Sequence, residues 1–298
     1  MSFSAEVKKE LCRNLPGQAC CARAQCYGIL LFCNTFTAGS IRIVTESKDF
    51  ARLLPRLFRG AFGFGFDGEP EIQGSKQCFT ISRPDRLERI LAAYGFSRDS
   101  VALHVNLAVL EEDCCKTAFL RGAFLAGGSV TDPAKGYHLE MSTTHRYVSR
   151  ETYSLVEDVL GVYPKLAVRG GSSVLYFKHS ASIEDFLTLL GAPVSAMAIM
   201  EAKVEKEMKN KVNRRVNCDD ANISKAVDAA QVQLAAIRRL ESQGRLSQLP
   251  QKLRQAAQAR LNYPESNLTE LAGMMNPPIT KSSMSYRLRR LTELAEEG

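Results

Sequence analysis

The hydrophobic and polar pattern of the chain occurs twice. "CCARAQCYGILLFCNTF" (20–36) and "CCKTAFLRGAFLAGGSV" (114–130) align without a gap at an offset of 94 residues. Cys20 and Cys21 fall on Cys114 and Cys115, Ala24 on Ala118, Gly28 on Gly122, Leu31 on Leu125 and Thr35 on Ser129. Each stretch is followed by the same succession of patterns. In the first copy "SIRIVTES" alternates as a strand does, "DFARLLPRLFRGAFG" has helical spacing, "EPEIQ" and "CFTISR" read as a strand pair, and "ILAAYG" closes with a short helix. In the second copy "YHLEMSTT", "VSRETYSLVEDVLG", the hairpin "KLAVRG" and "SVLYFKHS" across Gly170 and Gly171, and "SIEDFLTLLG" take the same roles. A fixed period with a shared element order marks a duplicated unit. The pattern predicts an α+β domain of two pseudo-equivalent halves, residues 1–96 and 113–195, bridged by residues 97–112. An amphipathic helix over residues 1–12 precedes the first copy.

Beyond Gly191 no strand-like run appears. Residues 196–248 read as a helical linker, with a break expected at "NRRVNCDDAN" because Asn210, Asn213, Asn217 and Asn222 favour caps and turns over helix interiors. Lys209, Lys211, Arg214 and Arg215 surround that break. They fit either a solvated linker or a hinge that touches phosphates.

Residues 249–298 carry the clearest functional pattern. "LPQKLRQAAQARL" is an amphipathic helix, and Asn267 with Glu270 forms a capping-box pair at the start of a second helix with Leu268, Leu271, Ala272 and Met275 on one face. "NPPI" ends that helix, since two prolines cannot continue it. Thr280 then caps a third helix, in which Met284, Leu288, Leu291 and Leu294 face inward. Lys281, Ser282, Ser283, Ser285, Tyr286, Arg287, Arg289 and Arg290 are left facing outward, which is the helix-turn-helix plan for a major groove. The serines and Tyr286 are placed for base edges and Arg287 for guanine, while Lys281, Arg289 and Arg290 suit phosphates. The plainer alternative is a basic helix that docks on the chain's own first half.

Composition narrows the classes further. A chain of 298 residues with 45% hydrophobic content can bury the cores of two or three domains. No apolar run approaches the roughly 20 residues of a membrane span, and "MSFSAEVKKELC" lacks a signal peptide's apolar core, so a cytoplasmic, nucleoid-associated protein is expected. The net charge is +7, of which the segment from Ala196 onward supplies +5, with 17 Lys and Arg against 12 Asp and Glu. The basic excess thus sits beside the helix-turn-helix pattern. Nine cysteines without a CxxC spacing suggest free thiols in a reducing compartment. Cys12, Cys20, Cys21, Cys26 and Cys33 cluster in sequence; a metal site and buried small hydrophobes both fit, and the second is the preferred reading. No cofactor and no metal ligands are assigned. His104, His138, His145 and His179 are scattered, no HExxH, GxSxG or phosphate-loop motif occurs, and Gly63 with Gly65 reads as a turn.

"LRGAFLAGGS" (120–129) resembles the LAGLIDADG helix of homing endonucleases, with Gly122 at the motif's packing glycine. The resemblance implies an αββαββα fold in each half, two motif helices side by side at a pseudo-twofold axis, and strands forming a saddle for duplex DNA. It also implies a metal-binding acid near the end of each motif helix, a position held here by Cys33 and Gly127. Asp132 lies five residues after the second, opposite Ala38 in the repeat. Neither Cys33 nor Gly127 offers a carboxylate, so the nuclease chemistry is expected to be lost. Together with "NKVNRRVNCDDAN" and "LTELAGMMNPPITKSSMSYRLRRLTELAE", the chain resembles the WhiA family of sporulation and cell-division regulators. That resemblance implies a non-enzymatic transcription regulator of sporulation, cell-division or chromosome-segregation genes, with promoter double-stranded DNA as partner and a WhiB-type co-regulator and an RNA polymerase sigma factor as further partners. The alternatives are an active metal-dependent DNA endonuclease and a protein-interaction adaptor.

Overall fold

The computed structural model describes residues 2–98 and 102–297, so Asp99, Ser100 and Val101 of the expected connector lie outside the described residues. The chain divides into two units, 1–206 and 207–298.

In the first unit α1 (Phe3–Leu11) starts at Ser2, whose hydroxyl accepts from the Ala5 amide. The first repeat then runs α2 (Ala19–Phe32), β1 (Thr35–Phe36), β2 (Ile41–Thr45), α3 (Lys48–Phe62), β3 (Glu71–Gln73), β4 (Lys76–Ile81) and α4 (Pro84–Ala93). The second runs α5 (Asp113–Gly127), β5 (Gly128–Val130), β6 (Leu139–Thr143), α6 (Arg146–Leu160), β7 (Lys165–Arg169), β8 (Ser172–Phe177) and α7 (Ser180–Leu190). Both halves are αββαββα, as the LAGLIDADG resemblance implies; the repeated pattern alone omits the short strands β1 and β5. Their antiparallel sheets have matching orders, β1-β2-β4-β3 and β5-β6-β8-β7. Ile41 pairs with Ile81 in one and Leu139 with Phe177 in the other, all four side chains buried against the helices. Gly63 and Gly161 end α3 and α6 at φ 80° and 64°, a left-handed conformation that Gly adopts at no steric cost.

Helices α2 and α5 form the centre of this unit. A Cβ on Gly28 would overlap the Phe119 carbonyl and the Ala123 amide; one on Gly122 would overlap the Gln25 carbonyl and crowd the Ile29 amide. Side by side, these glycines let the two backbones touch. The departures from the motif in α2 have structural roles. Tyr27 is fully buried, stacks on Tyr94 with ring centroids 4.2 Å apart, and its hydroxyl donates to His104 O and accepts from Asn106 N, tying the connector to the first half.

The second unit is helical, and here one expectation fails. Helix α8 (Pro193–Ser242) runs without interruption through "NRRVNCDDAN". No Gly or Pro occurs between Pro193 and Gly244, and the four asparagines are exposed. Each Asn costs well under about 1 kcal/mol relative to Ala in a helix, too little to break one that contains no stronger breaker. Helices α9 (Gln251–Asn262), α10 (Leu268–Gly273) and α11 (Lys281–Glu296) follow. Ala236, Ile237 and Leu240 of α8 are buried with Ala256, Ala257, Leu271, Met275, Met284, Leu288 and Leu291 in one core.

Candidate nucleic-acid interface

The interface is assembled around α10 and α11. The Asn267 side chain accepts from the Thr269 and Glu270 amides at 2.9 and 3.0 Å, and Glu270 accepts from the Asn267 amide at 3.0 Å, completing the box that fixes where α10 begins. The link to the next helix is held by Ile279 N donating to Ala272 O at 3.0 Å. Thr280 Oγ1 accepts from the Ser283 amide and starts α11. Met284, Leu288 and Leu291 anchor one face of α11 in the core, and Leu294 is half-buried beside them.

The opposite face is open. Lys281, Ser282, Ser285, Tyr286 and Arg289 are exposed, and Ser283, Arg287 and Arg290 half-buried. Ser282, Ser285, Tyr286 and Arg289 follow the i, i+3, i+4, i+7 spacing of a single helix face. Tyr286 is 60% exposed, a large apolar ring held in solvent, with the Arg289 guanidinium 5.7 Å from its centre. The arginines differ in their attachments. Arg290 bonds Glu293 at 3.1 Å and Glu297 at 3.4 Å, and the Glu293 bond holds its guanidinium above the usual range. Arg289 lies 3.6 Å from the same Glu293. Among the described residues no carboxylate pairs with Lys281 or Arg287, so these cations need release no partner before meeting an anion.

One residue that the sequence pattern does not single out holds this unit together. Arg260 on α9 is 3% exposed; it donates to Gln233 Oε1 of α8 and to the carbonyls of Pro264 and Ser266, and burial lowers its pKa. It thus ties the segment that leads into the Asn267 cap. Its only sequence signal is a charge on the helix face that also carries Ala256 and Ala257. Lys209, Lys211, Arg214 and Arg215 lie on an exposed stretch of α8, where Lys211, Arg214 and Arg215 share a face by their i, i+3, i+4 spacing.

In the first unit, Cys33 and Gly127 stand where α2 and α5 end. The Cys33 thiol lies 3.1 Å from both Leu30 O and Thr35 O, and burial pushes its pKa up to about 12. Gly127 has no room for a side chain, because a Cβ there would collide with the Ser142 carbonyl and press on Phe32. Asp132 accepts from the Ala134 amide at 2.9 Å within its own turn. Arg42 and Lys76 of the first sheet, and Lys165 and Arg169 of the second, are exposed.

The structure also regroups the cysteines. Cys26 is wholly buried and its thiol pushed well up by burial, as a small hydrophobe would be. The sequence cluster from Cys12 to Cys33 does not come together as a unit; Cys20 and Cys21 instead meet Cys114 and Cys115 of the other repeat. Chain proximity could not reveal this, although the 94-residue offset aligned the pairs.

Fold and interface thus define a duplicated LAGLIDADG-like domain followed by a helix-turn-helix. Residues 116–209 match the model of the WhiA LAGLIDADG-like domain and residues 212–295 that of the WhiA C-terminal HTH domain. The chain is 36% identical to the "Probable cell division protein WhiA" of Ruminiclostridium cellulolyticum, covering 99% of this chain and 97% of that one. It is 35% identical to the protein of the same name from Heliobacterium modesticaldum, over 99% and 96%. Among solved structures, full-length DUF199/WhiA from Thermatoga maritima superposes with a TM-score of 0.63 at 23% identity, covering 100% of this chain and 99% of that one. The N-terminal LAGLIDADG domain of DUF199/WhiA superposes at 0.52 with 20% identity, covering 64% and 92%. The chain belongs to the WhiA family. No helix among the described residues is long and apolar enough to cross a membrane.

Proposed function

We propose that this chain is a sequence-specific regulator of transcription that reads promoter DNA with α11 and does not cut it. The observation that carries the reading is the outward face of α11. It combines hydroxyls, an exposed aromatic and unpaired cations on a helix whose start and inner face are fixed by a cap and a core. Ser282, Ser283, Ser285, Tyr286 and Arg287 meet base edges, while Lys281, Arg289 and Arg290 meet phosphates. Lys209, Lys211, Arg214 and Arg215 add phosphate contacts. In this reading residues 1–96 and 113–195 form a scaffold joined by 97–112, 196–248 the helical connection and 249–298 the DNA-reading domain. The protein works in the cytoplasm at the nucleoid.

The absence of cleavage follows from the ends of α2 and α5, where the Cys33 thiol and the closed space around Gly127 replace the carboxylates that a metal-assisted hydrolysis needs. The names of the relatives favour cell-division genes as targets, and the resemblance extends this to sporulation, with a sigma factor and a WhiB-type regulator as partners. The test is a salt titration of binding to promoter fragments with magnesium present. A steep fall of affinity with salt and intact DNA support the reading. Cut DNA, or binding indifferent to salt, overturns it.

A further inference from the structure

Four thiols meet where α2 and α5 begin. Cys20 and Cys21 are the second and third residues of α2, and Cys114 and Cys115 hold the same places in α5. All four Sγ atoms lie within 4.8 Å of one another, with Cys20 and Cys21 4.0 Å apart. A zinc ion bound by four thiolates at about 2.3 Å spaces its sulfurs about 3.8 Å apart, so adjustments of about 1 Å would close this group around one ion. A four-iron cube would hold them further apart. We propose that Cys20, Cys21, Cys114 and Cys115 bind a single zinc ion that cross-links the two repeats at their pseudo-twofold axis.

The surroundings suit an anionic thiolate set. Each pair occupies the first turn of a helix, where unpaired amides and the positive end of the dipole favour negative charge. Arg23 lines the cavity on the Cys20 and Cys115 side together with Glu111 and Glu112, and Arg121 the cavity on the Cys21 and Cys114 side together with Asp113, so the side chains around the group are of mixed charge and the helix amides are what favour the thiolates. Packing does not explain the group, because Cys20 and Cys114 are exposed whereas Cys26 is sealed in the core. On binding, each S–H releases its proton to solvent as a zinc–sulfur bond forms, and no electron moves. Four protein ligands leave no open position, so the ion is structural: it clamps the near ends of the helices that Gly28 and Gly122 join at their middles.

The experiment uses the full chain, purified without chelator and analysed for metal, then stripped and titrated with Co2+. One zinc per chain is expected, together with a cobalt spectrum showing thiolate charge transfer and intense tetrahedral bands that saturates at one equivalent. The double variant Cys20→Ser/Cys114→Ser, changed only at exposed positions, should fall below about one tenth of the metal content while keeping its circular dichroism, and Cys218→Ser on α8 should retain all of it. Three results would overturn the proposal: a reduced wild-type chain that gives no tetrahedral cobalt spectrum, equal amounts of iron and inorganic sulfide, or disulfides joining the two pairs in the chain as isolated.

Discussion

Gly28 of α2 and Gly122 of α5 lie against each other's helix in reciprocal fashion: a Cβ on the first would strike the Phe119 carbonyl, and one on the second the Gln25 carbonyl. Residues 25 and 119 are themselves equivalent in the repeat, so the contact obeys the twofold relation of the two halves. Gly28→Ala or Gly122→Ala must push two backbones apart, and each is expected to destabilise the first unit by about 3 kcal/mol in thermal or denaturant unfolding. Gly60, inside α3 with nothing within 4 Å of its would-be Cβ, supplies the contrast. Gly60→Ala should stabilise by about 0.5–1 kcal/mol.

On α11 the ion pairs sort the arginines. Arg287→Ala should narrow the gap between operator and random DNA by about 1–3 kcal/mol, and Lys281→Ala should leave that gap unchanged while reducing the salt slope by about one. Glu293 holds both Arg289 and Arg290. Glu293→Gln should therefore tighten binding to every sequence alike, a change read directly by titrating operator and random duplexes in parallel.

Arg260 links α8, α9 and the chain before α10 through one buried guanidinium. Arg260→Met strips the Pro264 and Ser266 carbonyls of their donor and should cost about 1–2 kcal/mol, since these groups are only partly buried and water can replace some of what is lost. DNA affinity should fall only as the folded fraction falls, which unfolding and binding curves measured together would reveal.

Burial holds the His145 imidazole below its ordinary pKa. The unfolded chain then takes up a proton that the folded one resists. Stability is full above the unfolded value of about 6.5 and declines as pH falls below it, levelling off once the folded group is protonated. In His145→Gln that part of the slope between pH 7 and pH 5 should vanish from urea unfolding.

The repeat, the caps and the helix-turn-helix were legible because each rests on local chemistry. An Asn267 with Glu270 three residues on, or two prolines after Met275, states its geometry within one turn of chain. Lines that depend on distant partners were not legible. The Asn-rich stretch of α8 reads as a break, yet weak helix formers without Gly or Pro do not end a helix. Arg260 is an unremarkable charge until its three acceptors, one from α8 and two from the loop before α10, surround it. The thiol pairs lie 94 residues apart, and only the close approach at Gly28 and Gly122 brings them together. Gly127 shows the reverse case: the sequence marks a missing acid, and the Ser142 carbonyl shows that any side chain there would have to push the backbone aside.

The most direct test of the account is selection from a pool of genomic fragments by the full chain and by its Ser285→Ala/Tyr286→Ala/Arg287→Ala variant, at equal salt and with the folded fraction of each measured. The account predicts that the native chain enriches a small set of promoter fragments sharing one sequence, and that the variant keeps weak, salt-sensitive binding but enriches nothing. If the variant enriches the same fragments, α11 is not what reads the DNA, and the outward face on which the proposal stands has another use.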